Sequence, residues 1–278
     1  MLSLLNSELF RLVKRPMPWI MLLILAIGVA LLYGALWAVL ETASNANDAD
    51  GLSGNLRIGA TTGLGLGLVS TLATILVIII ASSMIGAEYG WGTIRTLLPR
   101  ASGRMPLAIA KLVTIGLFVT ILVAFGYLVS LAMSALVTSA AGLNDDLGDG
   151  FVVHSLASVG RVIYTTVPYA ALSFMVALWS RSNAAGISVG LAIYLLEDLV
   201  LAIIGLAGDA VDWLPDLLLS DNVSAILALN NVEEAGFGGV NPAGGPDPWQ
   251  AAGTLALWTA LFLAIALVIF HRRDVTNE

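Results

Sequence analysis

The sequence predicts an all-α integral membrane protein with six transmembrane helices. Hydrophobic residues make up 58% of its 278 residues and charged residues only 11%, where a soluble domain carries about 25% charged residues. Mean hydropathy is +0.93, so polar side chains are too few to cover a soluble surface. Apolar runs that reach the roughly 20 residues a spanning helix needs recur at 19–40, 60–85, 112–140, 159–179, 184–207 and 251–270. Together these make the whole chain, 1–278, a single transmembrane domain.

Ahead of the first span, "SLLNSELFRLVKRP" places Leu5, Leu9, Leu12 and Val13 near one helical face and Glu8, Arg11, Lys14 and Arg15 on the rest. That pattern predicts an amphipathic helix over 3–15 lying in the membrane interface, ended by Pro16 and Pro18, with a solvated tail as the alternative. The run from Trp19 is too long for a cleavable leader and reads as a retained span. The third run is long enough to tilt or to project past the bilayer. The fifth is interrupted by Glu197 and Asp198.

Orientation follows from the basic residues, which concentrate in cytoplasmic connections. Ten of the twelve fall on one side: Arg11, Lys14, Arg15, Arg95, Arg100, Arg104, Lys111, Arg181, Arg272 and Arg273. The other side holds Arg57, Arg161 and the acidic groups of 41–50, 145–149, 209–221 and 233–247. Both termini are therefore expected in the cytoplasm, with the acidic loops solvating the outer face. The longest outer connection, 208–250, contains "WLPDLLLSDNVSAILALN", which predicts a re-entrant or interfacial helix capped by Asp221 or Asn222. The Gly/Pro-rich "GFGGVNPAGGPDP" then forms turns before the last span.

Most catalytic chemistry is excluded. Without cysteines there is neither a disulfide framework nor a thiolate metal site. His154 and His271 are too far apart in sequence to indicate a metal centre. "GISVG" matches a nucleophile-elbow string but lies within an apolar helix instead of a strand-to-helix turn. Gly186 and Gly190 instead read as a small-residue packing face. Gly59, Gly63 and Gly67 recur every four residues and are expected to admit a neighbouring helix or to loosen the start of the second span. No phosphate-binding G-x-x-x-x-G-K-[ST] loop occurs, so any ATP energy must come from another chain. Glu197 and Asp198 admit two readings. They line a pathway or subunit interface, or the fifth span breaks near Leu196 and leaves both carboxylates in the outer interface.

The connection over 86–106 is the most basic in the chain. Gly90 and Gly92 break the exit from the second span, Thr93 can cap a short helix, and Pro99 ends it. Ile94, Leu97 and Leu98 would form its apolar face. Such a surface helix suits a groove on a cytosolic partner, or the segment simply rests on anionic lipid.

The stretch "EYGWGTIRTLLPRASGR" resembles the E-[YF]-x-x-G-T-[ILV]-R-x-L-L pattern of ABC-2-type permease subunits, the membrane half of ATP-binding-cassette transporters. "SELFRLVKRP" resembles their N-terminal interfacial helix, and "LLED" and "LPDLLLSDNVSAIL" loosely resemble later parts of that family. The resemblance implies that 86–106 couples to an ATPase, with Glu88, Tyr89, Trp91, Gly92, Thr93 and Arg95 as the contacting residues. It also implies a dimer with a second permease copy or homologue, ATP and Mg bound on the partner subunit, no cofactor and no catalysis in this chain, and export across the cytoplasmic membrane. Lipid is the expected surround, and nucleic acid is not an expected partner. The alternatives are a non-transporting membrane scaffold or sensor of the same fold, and a membrane-embedded enzyme. The latter would need convergent polar residues at one depth, where only Glu197 and Asp198 are available.

Overall fold

The computed structural model describes residues 2–42, 53–54, 56–90, 103–142, 150–205, 215–230 and 246–272. Among these the chain is helical, with no strand. The short helix α1 (Leu2–Lys14) bends at Arg15 into α2 (Pro16–Thr42), where Pro16 takes the first helical position that suits a residue without an N–H. A 3-10 turn (Ile58–Thr62) leads into α3 (Leu64–Gly90), followed by α4 (Arg104–Ala140), α5 (Phe151–Ser180) and α6 (Asn183–Gly205). The short α7 (Leu219–Leu227) precedes the last long helix, α8 (Pro248–Arg272). Six of these helices are long and apolar enough to cross a membrane. The chain is a multi-pass helical membrane protein by that criterion.

Two predicted boundaries shift by a full two turns. α4 begins at Arg104 instead of Leu112, and α5 at Phe151 instead of Val159. In α4 the reason is electrostatic: Lys111 lies inside the helix, with its charge met by carboxylates from two other helices. α6 runs unbroken past Glu197 and Asp198, which removes the predicted break near Leu196. α7 begins at Leu219, so Asp221 and Asn222 lie within its first turn and do not precede it as caps.

α3 and α5 form the centre of the bundle, buried along most of their length. α2 buries a single stripe, Met21, Leu25, Val29 and Tyr33, at the four-residue spacing of one helix face. Its opposite face exposes Ile20, Leu23, Ile24, Ile27 and Leu31, the surface that acyl chains would cover. Buried hydroxyls are turned back onto their own helices. Thr74 donates to Ser70 O, Thr114 to Ala110 O, Thr166 to Val162 O and Ser173 to Tyr169 O. With no water in a hydrocarbon core, this internal satisfaction is what makes polar side chains tolerable there.

Small residues bring α6 onto this core. A Cβ at Gly186 would stand 2.6 Å from Ala177 Cβ and 2.7 Å from Ser82 Oγ, and one at Gly190 would strike Ser173. Of the glycines expected to admit a helix near the start of α3, Gly59 lies in the 3-10 turn, Gly63 closes it, and Gly67 faces open space. The close approach falls instead at Gly65, where a Cβ would be 2.8 Å from Tyr33 Oη. Gly186→Leu is expected to lower stability in detergent by about 1–3 kcal/mol through overpacking. Gly67→Ala should be neutral or raise it by up to about 1 kcal/mol through helix propensity. Thermal unfolding of the two purified variants checks the contrast.

Candidate functional site

At the end of the bundle that carries α1, three helices meet around one ammonium group. Lys111, in the second turn of α4, is 0% exposed. Its Nζ donates to Glu88 Oε1 at 2.6 Å, to Glu8 Oε2 at 3.0 Å and to the Met84 carbonyl at 3.3 Å. Glu8 comes from α1 and is 3% exposed, and Glu88 comes from the last turn of α3 and is 2% exposed. Arg11, one turn beyond Glu8, donates to Glu8 Oε1 at 3.2 Å and lies 4.0 Å from Glu88 Oε1. Two carboxylates and two cations thus balance formally, and the fully buried lysine uses three donors on three acceptors.

The local sequence explains why these groups converge. Leu12 buries the apolar face of α1 in the main core, which turns Glu8, one helical turn earlier, towards α3 and α4. Leu107, Ala108 and Ile115 bury the same side of α4 as Lys111. The last turns of α3 are held from a third side by the start of α6. Ser83 donates to Asn183 Oδ1, and a Cβ on Gly86 would stand 2.5 Å from Asn183 Cα. Glu88 is therefore fixed on a tightly packed helix end.

This cluster is placed next to the segment expected to couple to a partner. Glu88, expected to make a polar or ionic contact with Arg95 or with the partner, is buried against Lys111, which it meets as a counter-charge. Tyr89 is partly buried and packs on the main core. Trp91, Gly92, Thr93 and Arg95 lie outside the described residues, as does the short helix expected to end at Pro99. The partners that sequence reasoning missed are Glu8 and Lys111. The available signal was a lysine next to a long apolar run, because a charge at membrane depth is normally paired.

The two carboxylates of α6 separate at the opposite end. Glu197 is 8% exposed, and its Oε1 accepts the Leu219 N–H at 2.6 Å. It caps the first turn of α7 from a different helix, in a position where Leu218 offers no side-chain cap. Asn222 reinforces this turn by donating to the carbonyls of Asp216 and Leu218. Asp198 is exposed and lines a cavity. The Asp221 carboxyl is pushed up from the usual carboxylate range by burial first, and then by the nearby charges of Asp198 and Asp216. Trp258 of α8 donates to Leu217 O, and Arg161 of α5 donates to Leu229 O and Asn230 Oδ1. The α7 region is thus tied to three long helices.

The family described as "Protein of unknown function (DUF2705)" matches residues 50–276. The chain belongs to that family. No curated protein matches it. The part shared with DUF2705 contains Glu88, Lys111, Glu197 and Asp198, whereas Glu8 and Arg11 precede it. Half of the charge cluster is therefore contributed by a helix outside the matched region.

Lys111→Met should cost about 3–5 kcal/mol, because it removes the fully buried cation that both carboxylates share. Adding Glu88→Gln should recover part of that loss, with a coupling of at least about 1 kcal/mol between the two positions. Unfolding of the single and double variants in one detergent measures it, and additive losses would show that the two groups do not interact.

Proposed function

We propose that this chain is the membrane-spanning subunit of an ABC-2-type transporter, exporting its substrate across the cytoplasmic membrane with ATP hydrolysed by a separate subunit. The observation that carries the reading is the meeting of two features that resemble that family. Glu88 opens the E-Y-x-x-G-T-I-R-x-L-L stretch, Glu8 belongs to the interfacial helix, and both hold Lys111. The concentration of basic residues at this end supports a cytoplasmic position for it, where an ATPase would reach it.

In this reading the residues divide their roles. Trp91, Thr93 and Arg95 present apolar and ionic contacts to the ATPase. Glu88 stands behind them and ties the start of the docking segment to α1 and α4 through Lys111. A push on the segment is then shared by three helices and cannot simply unwind the end of α3. α3 is one of the two central helices, so its displacement reaches the middle of the bundle. A second copy or homologue completes the translocation path.

Arg95→Glu is expected to reduce co-purification of a co-expressed candidate ATPase at least tenfold, while membrane insertion stays at the wild-type level. ATPase binding unchanged by Arg95→Glu would remove the coupling assignment. An ATPase that binds but whose hydrolysis responds to no transported compound would favour the scaffold or sensor.

A further inference from the structure

At the end of the bundle opposite the charge cluster lies a cavity of about 410 Å³ between α3, α5, α6 and α7. It falls within the size range of small-molecule sites. Hydroxyl and aromatic side chains line it beside aliphatic ones, and among the described residues that line it Asp198 is the charged one. Tyr169 and Tyr194 both line it, and their rings meet edge to face at a centroid distance of 5.1 Å and an interplanar angle of 81°. Ser70 and Thr74 supply further oxygens from α3. Ser220, 8% exposed, lines the cavity with an Oγ that has no hydrogen-bond partner among the described residues.

We propose that this cavity binds a small organic cation, an ammonium or substituted ammonium group with a modest apolar portion. Asp198 supplies the counter-charge. The Tyr169 and Tyr194 rings supply the electron-rich surface that attracts such a head, more strongly when water is excluded. Ser220 supplies an acceptor oxygen. The surrounding potential has the required sign. Asp221 stands near both Asp198 and Asp216, and Arg161 is bonded to Leu229 and Asn230. An anion would find a carboxylate and no cation in the lining. An uncharged apolar molecule would leave the Asp198 carboxylate and the Ser220 hydroxyl without a partner, at a desolvation cost. The site requires no ATPase and holds whatever the chain couples to.

The test uses the full chain in lipid nanodiscs without nucleotide or ATPase, so its outcome is independent of the coupling experiment. Radiolabelled benzyltrimethylammonium is titrated and competed with benzylsulfonate and with neopentylbenzene, the uncharged isostere of the probe. The expected result is saturable binding that neither competitor displaces. Asp198→Asn should weaken it at least tenfold, and Tyr194→Leu by about three- to thirty-fold, the range expected for a cation–aromatic contact. Asp198 is exposed, so its variant should unfold at the wild-type temperature. Gly67→Leu, placed where a side chain meets open space, should fill the cavity and abolish binding with no change of charge. Wild-type affinity in both Asp198→Asn and Gly67→Leu, equal displacement by neopentylbenzene, or the absence of saturable binding would overturn the proposal.

Discussion

A lysine ammonium with no exposed surface constrains one whole end of this molecule. Burying a lone charge away from water is costly, and Lys111 escapes that cost only while Glu8 and Glu88 stay within hydrogen-bond reach. α1, the end of α3 and the start of α4 are therefore locked in mutual position. A buried ion pair contributes little net stability compared with well-packed apolar groups, yet its disruption is expensive. Its value here is geometric: it fixes the ends of the two helices that bracket residues 91–102.

The opposite end uses the same device with different partners. Glu197 holds the first turn of α7 to α6, and Trp258 and Arg161 bind the same region from α8 and α5. Between the two ends the bundle relies on small residues and back-bonded hydroxyls, which let helices approach without leaving polar groups exposed to lipid. Ion pairs thus govern one end, hydrogen bonds from polar side chains the other, and close packing the middle.

The spans were legible because hydrophobic run length is a direct physical requirement of the bilayer. The helix α1 was legible from its apolar stripe, and the close contacts of Gly186 from the spacing of small residues. Where α4 begins was not, because a run counted by apolarity stops at a lysine. Carboxylates 23 and 103 positions away make that lysine an interior residue. Gly67 misled for a related reason. Its spacing matches a packing motif, but the space beside it is a cavity, which depends on where α6 and α7 settle. Glu197 likewise takes its role from Leu219, a backbone donor that no side-chain pattern reveals.

The sequence separation within the charge cluster has a consequence for biosynthesis. Glu8 and Lys111 are 103 positions apart. At typical elongation rates Glu8 is made about 5–20 s before the cation that neutralises it. α1 must therefore wait, its carboxylate not yet paired with Lys111, while α2, α3 and the first turns of α4 are delivered. Its final seating is a late event, and any agent that captures the nascent N-terminus would leave Lys111 to enter the bilayer with one carboxylate instead of two.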